Sequence, residues 1–371
     1  MCNACLPTPA DIDATNAFAD QLLGMLNQGS LALMVSIGHR TGLFDALSEL
    51  PPSDSTGIAA QSGLDERYVR EWLGAMVTGG VVDYDPATGR YRLPEYRSAL
   101  LTRAATPDNM AVFAQYIGLL GQVEDRVVGC FRDGGGVPYE HYPRFHEIMA
   151  EDSGQTVLGA LDKHILPLVP GLTDRLERGI RVLDVGCGSG RALLHLAARF
   201  PRSQFTGYDL SESALQRARE QAAARALTNV AFECHDLTGF DDAAETAAFD
   251  LVTAFDAIHD QAAPQRVLEG IQRCLKPSGT FLMQDIRASS QLENNLDHPL
   301  GPLLYTISTM HCMTVSLAQG GAGLGTMWGE ELARQMLHEA GFTCVEVHQL
   351  AHDVQNNFYV MHKAQDRPQT H

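Results

Sequence analysis

The 371 residues carry 45 acidic against 27 basic side chains, a formal charge of −18, and 45% are hydrophobic, enough to fill two domain cores. So acidic a chain repels a polyanion, and only Lys163, Lys276 and Lys363 supply ammonium groups, so nucleic acid is set aside as a partner. No apolar run approaches the roughly 18 residues of a membrane span, the first basic residue is Arg40, and the cysteines fit no disulfide framework, which predicts a cytoplasmic protein with reduced thiols and no membrane contact.

Residues 1–14 include Cys2 and Cys5 but no second pair at finger-like spacing, and read as a flexible tail. From Thr15 to Leu50 apolar residues recur at helical spacing (Phe18, Leu22, Leu26, Leu31, Met34, Val35, Leu43, Leu47), with Gly42 as a break. That surface is apolar enough to pack on a second subunit. STGIAAQSG then reads as a short helix stopped by Gly63, and DERYVREWLGAMVTGG as a longer one capped by Asp65 and ended by Gly79-Gly80. VVDYD and RYRLP alternate across a PATG turn as a hairpin does. A helix-turn-helix with a wing is predicted from Ser55 to Pro94, inside a helical domain over 15–105. Its six arginines (Arg67, Arg70, Arg90, Arg92, Arg97, Arg103) meet six acids (Asp65, Glu66, Glu71, Asp83, Asp85, Glu95), whereas a DNA reader should be basic. The domain is therefore predicted to build a homodimer.

Residues 106–170 read as a helical linker and substrate cap, interrupted by DGGGVPYEHYP, a loop bearing Tyr139 and Tyr142 with Phe145 just beyond it. After Gly179 short apolar strands (RVLDVG, FTGYDL, VAFECHD, DLVTAF, TFLMQDI) alternate with amphipathic helices, and CVEVHQL and FYVMHK end the chain. The fold class is α/β, a mostly parallel Rossmann-like sheet flanked by helices over 171–371.

The first of these strands runs into Val182-Leu183-Asp184-Val185-Gly186-Cys187-Gly188-Ser189-Gly190, where glycines allow a tight turn and close approach of a ligand. A dinucleotide fingerprint from Gly186 requires glycine at 191, and this chain has Arg191. Asp184 beside the loop suits a ligand carrying an ammonium and a sulfonium better than a pyrophosphate. S-adenosylmethionine (SAM) has both cations and no phosphate. Asp209 ends the second strand, where an acid can accept from ribose hydroxyls, and Asp236 follows the third, where one can meet an adenine amino group. Each alone also reads as a turn or capping aspartate; it is their order at successive strand ends that makes an adenosine site.

With VLDVGCGSG as glycine motif and LKPSGTFLMQD as the turn into the fifth strand, residues 180–285 resemble the class I SAM-dependent methyltransferases. Over nearly its whole length the chain also resembles bacterial methyltransferases with an N-terminal winged helix, a group often labelled transcriptional regulators, and more distantly the dimeric plant-type O-methyltransferases. The resemblance implies SAM contacts at Asp184, Gly186, Gly188, Gly190, Asp209 and Asp236, with Leu210, Leu237 and Phe255 as neighbours, S-adenosylhomocysteine as product, and interlocked N-terminal helices in a dimer.

Methyl transfer needs acceptor and methyl group held in line and, for a hydroxyl or thiol, one proton removed. LVTAFDAIHDQ offers His259 followed by Asp260, and the plant-type enzymes carry their base in a similar pair, though Gln261 stands here in place of their Trp. His259 is either that base or a structural helix cap. The stretch 287–328 is far longer than a strand-to-helix connection and reads as a lid, apolar first and then glycine-rich and hinge-like. The acceptor pocket is assigned Tyr142, Phe145, His146, Asp260, Tyr305, His311 and Trp328. Adjacent His311 and Cys312 form a poor ligand set, and Asp256 with Asp285 has no third acid or Asn beside it, so no metal is predicted. The acceptor is a small, apolar molecule methylated on oxygen or on sulfur. The competing reading is a ligand-sensing winged-helix transcriptional regulator.

Overall fold

The computed structural model describes residues 9–351 and 353–363, and the Cys2/Cys5 pair lies outside them. The chain forms two compact units, one ending at Gly118 and the other beginning at Leu119, so the stretch 106–170 is shared between them.

In the first unit helix α1 (Pro9–Thr41) begins ahead of Thr15, with Asp11 in its first turn where the helix dipole favours an acid. Gly42, at φ 74°, turns the chain into α2 (Leu43–Glu49). The side chain of Asp54 caps α3 (Ser55–Ser62) and that of Asp65 caps α4 (Glu66–Thr78), and Gly63 ends α3 in the left-handed conformation. Strands β1 (Asp83–Asp85) and β2 (Arg90–Arg92) pair antiparallel as the wing. The core gathers Phe44, Ile58, Trp72, Leu73 and Met76, and the Trp72 indole donates to the Met34 carbonyl at 2.8 Å, tying α1 to α4. The amino-terminal part of α1 is different: Phe18, Leu22 and Leu26 are 56%, 45% and 69% exposed. Five of the six arginines pair with acids, Arg67 with Glu71, Arg70 with Glu66, Arg92 and Arg97 with Asp83, and Arg103 with Asp45. Arg90 donates to the Pro52 carbonyl.

The second unit holds seven strands, β3 (Arg181–Val185), β4 (Gln204–Asp209), β5 (Val230–Cys234), β6 (Phe249–Phe255), β7 (Leu275–Ile286), β8 (Phe342–His348) and β9 (Asn356–Lys363), in the order β5-β4-β3-β6-β7-β9-β8. β3 to β7 are parallel, and β9 runs antiparallel between β7 and β8. Strand alternation feeds two cores: Val182, Leu251 and Leu282 pack with Leu193 and Leu215, whereas Leu183, Val252 and Phe281 pack with Leu268 and Leu337. Sheet order reverses between β3 and β6, and the crevice beyond their carboxyl ends is where open α/β sheets bind ligands. The KPSG sequence, read as a turn, is part of a continuous β7.

The stretch 287–328 folds as a helix over Gly301–Ile307, a π turn over Ser308–Cys312 and a helix over Met313–Ala318. Within its glycine-rich end one glycine is closely packed. Gly325 has φ 72°, and a Cβ there would lie 2.2 Å from the Ser308 hydroxyl oxygen, so close approach explains that glycine.

Candidate active site

The loop after β3 carries positive φ at Gly186, Gly188 and Gly190 (74°, 53° and 67°), and a Cβ on Gly186 would come 2.4 Å from that of Ala257. Asp209, at the end of β4, accepts the Gly188 amide at 2.7 Å and the Ser211 amide at 2.8 Å, which fixes the loop against the strand end. On β3 itself Asp184 is 3% exposed and accepts the Thr253 hydroxyl at 2.7 Å. Burial pushes its carboxyl up to about 7, against the lowering effect of the Thr253 hydrogen bond. Asp236 caps the turn after β5, accepting the Thr238 amide at 2.9 Å and its hydroxyl at 2.8 Å through one oxygen.

A cavity of about 490 Å³ is lined by Asp184, Gly186, Gly188, Asp209, Leu210, Asp236, Leu237 and Phe255, and also by Tyr139, Tyr142, Phe145, His146 and Asp260. Gly190 stands just behind the loop, its Cβ position against the Phe232 ring. Three residues assigned to the acceptor pocket lie outside this wall. Tyr305 is 37% exposed, its hydroxyl accepting from the Asn295 side chain. Trp328 is buried, and its indole N–H donates to Asp285 at 2.9 Å. His311 is packed behind the wall, stacked on Phe145 with ring centroids 3.7 Å apart. Burial pushes its imidazole down to about 4.

His259 is likewise behind the wall. It is 3% exposed, its Nδ1 pairs with Asp285 at 2.7 Å, and its Nε2 lies 3.3 Å from Asp260. Asp260 in turn accepts the Tyr139 hydroxyl at 3.1 Å. Burial alone would push the His259 imidazole down, but the carboxylates of Asp285 and Asp260 overcome it and hold the ring well above its usual range. The histidine thus adjoins the cavity through Asp260, which does line it.

Two wall residues are named in the sequence but not assigned to the site: Tyr139, and Asp256, which is weighed only as a metal ligand. Tyr139 lay in the aromatic loop but had no assigned role. Asp256 follows β6 in the left-handed region at φ 51°, a conformation uncommon outside glycine, and its Oδ1 is buried without a hydrogen-bond partner. Burial, reinforced by Asp285, holds this carboxyl well above the ordinary range. Nothing in the local sequence signals that backbone strain.

Residues 29–103 match the Rv2258c-like winged HTH domain family, and residues 176–351 match a methyltransferase domain family. Trans-aconitate 2-methyltransferase of Acidovorax sp. (strain JS42) is 31% identical over 137 residues, 37% of this chain and 47% of that protein. The chain spans about half the length of the curated relatives it matches. Among solved structures, an O-methyltransferase family protein from Burkholderia thailandensis superimposes with TM-score 0.67 at 16% identity, covering 94% of this chain and 99% of that one. Human N-acetylserotonin methyltransferase in complex with SAM gives TM-score 0.67 at 18% identity, over 93% and 97%. At these identities the likeness establishes the fold.

Proposed function

We infer that this chain, in which a winged helix-turn-helix domain precedes a methyltransferase domain, moves the methyl group of SAM to the oxygen or sulfur of a small, apolar acceptor and releases S-adenosylhomocysteine. One observation carries the reading: a single cavity is lined both by the carboxylates of Asp184, Asp209 and Asp236 and by the aromatic rings of Tyr139, Tyr142 and Phe145. The carboxylates suit the ammonium, the sulfonium and the adenosine hydroxyls and amine of SAM. The aromatic rings suit a planar or apolar acceptor.

In the transfer, a lone pair on the acceptor forms a bond to the methyl carbon, the carbon–sulfonium bond breaks, and its electron pair neutralises the sulfur. The acceptor's proton leaves to a base. Because Asp260 is in the wall and His259 is not, Asp260 is the group that touches the acceptor, with Tyr139 and His259 positioning it.

The winged domain is assigned to assembly of a homodimer through the exposed apolar residues of α1. Its helix-turn-helix fold favours the regulator reading, but the pairing of its arginines with its own acids leaves little free positive charge for phosphates. The test is a turnover screen of phenols, aliphatic alcohols, fatty acids and thiols with SAM, following S-adenosylhomocysteine release. Release above the acceptor-free rate supports the enzyme. SAM binding without turnover on any class, together with sequence-selective binding to upstream DNA, would favour the regulator.

A further inference from the structure

Behind the cavity wall a histidine and an acid face a buried cysteine. His259 Nε2 and Asp260 Oδ1 form an ion pair at 3.3 Å, and that Asp260 oxygen is buried with no hydrogen-bond partner. The sulfur of Cys312 lies close enough that the three atoms are all within 4.8 Å of one another.

We propose that His259 Nε2, Asp260 Oδ1 and Cys312 Sγ bind a zinc ion, with a fourth position left to water or to the acceptor. The mixed nitrogen, oxygen and sulfur set suits a borderline-soft divalent cation. Ligand atoms about 2.0 Å from a tetrahedral ion lie about 3.3 Å apart, which is the separation of the nitrogen and the oxygen. The outer shell is in place as well. The Nδ1 of His259 pairs with Asp285 at 2.7 Å, and Asp285 is itself held by the Trp328 indole at 2.9 Å and the Ile286 amide at 2.8 Å. A carboxylate on the far nitrogen fixes the ring, and zinc at Nε2 would displace the proton that the two carboxylates otherwise favour there. Cys312 comes from a π turn, an irregularity frequent at functional sites. A second cluster, Asp256, His259 Nδ1 and Asp285, needs no ion, because an ordinary hydrogen bond already joins its nitrogen to Asp285.

This proposal departs from the expectation of metal independence and stands apart from the methyltransferase reading, since zinc binding is read without turnover. Full-length protein purified from zinc-supplemented culture is assayed for bound metal, then stripped with a chelator and loaded with cobalt(II) alone. One zinc per chain and a thiolate-to-cobalt charge-transfer band in the near ultraviolet are expected. Cys312→Ser should abolish the band, and Asp285→Asn should weaken zinc binding by about 10- to 100-fold, the usual cost of losing an outer-shell partner. Substoichiometric zinc with no band in the wild type, or a band unchanged in Cys312→Ser, overturns the site. Should Cys312→Ser fail to fold by circular dichroism, Asp260→Asn serves instead, with unchanged zinc affinity as the contrary result. SAM affinity measured on the same samples separates failure of this site from failure of the cofactor assignment.

Discussion

Asp209 holds the amide of Gly188 at 2.7 Å, so the acid that ends β4 is also the pin of the glycine loop beside β3. Each of its oxygens accepts one backbone amide and keeps further lone pairs for a ribose. Asp209→Ala should therefore weaken SAM binding by about 1.5–3 kcal/mol, the range for hydrogen bonds to a charged group, with loosening of the loop adding to the loss. Unchanged affinity by titration calorimetry would remove Asp209 from the cofactor site.

If Asp184 holds the cofactor as proposed, SAM binding should depend on pH. Its carboxyl is pushed up to about 7 by burial, so near neutrality part of the population is protonated. A cationic ligand favours the ionised form, so binding releases a proton and tightens as pH rises, with affinity falling by up to about tenfold per unit below the midpoint. The sulfonium keeps its charge throughout. Asp184→Asn should bind more weakly and with a flatter profile; a wild-type profile equally flat across pH 7 would contradict the assignment. The stability effect has the opposite sign. With the folded value above the ordinary 3.8, the native state holds more protons between 3.8 and 7, so this group's contribution to stability is lost as pH rises through that window.

The sheet was legible because each parallel strand is an apolar run bounded by turn residues, and because glycines must lie where backbone approaches backbone, as at Gly186 against Ala257. The acids at strand ends were legible for the same reason: a parallel sheet collects its strand ends at one edge. The orientation of His259 was not. It is set by Asp285, on a different strand, and by Trp328, beyond the long insertion, and neither partner is implied by the residues around the histidine. The glycines near 325 were ambiguous in the sequence because a hinge and a tight packing contact, such as that of Gly325 on Ser308, ask for the same residue.

The exposed apolar residues of α1 predict the oligomeric state. Phe18, Leu22 and Leu26 are roughly half exposed in the single chain, so each forgoes about half of the ~1.5–3 kcal/mol that full burial contributes, a cost that a second copy would remove. Sedimentation equilibrium should give a dimer, and Leu22→Asp combined with Leu26→Asp should shift it to monomer. A wild-type monomer at micromolar concentration would overturn the assembly role. Salt-sensitive, sequence-selective gel shifts with upstream DNA would return the winged domain to regulation.

The last prediction separates the two members of the His259–Asp260 pair. If Asp260 takes the acceptor's proton, Asp260→Asn, which keeps the volume and removes the charge, should lower turnover by about a hundredfold or more. SAM affinity should be nearly unchanged, because the carboxylates proposed to hold the cofactor are Asp184, Asp209 and Asp236. His259→Ala should also lower turnover, but with a second signature. It strips Asp285 and Asp260 of their shared buried partner, and breaking such a pair typically costs about 3–5 kcal/mol of stability, so its melting temperature should drop while that of Asp260→Asn changes less. Tyr139→Phe, which deletes only the hydroxyl that donates to Asp260, should show a smaller loss of turnover on an intact fold. The deciding measurement is turnover of the three variants on one identified acceptor, alongside thermal unfolding. An Asp260→Asn variant as active as wild type would mean that alignment of acceptor and methyl group alone drives the transfer, and would leave the buried network a structural or metal-binding role.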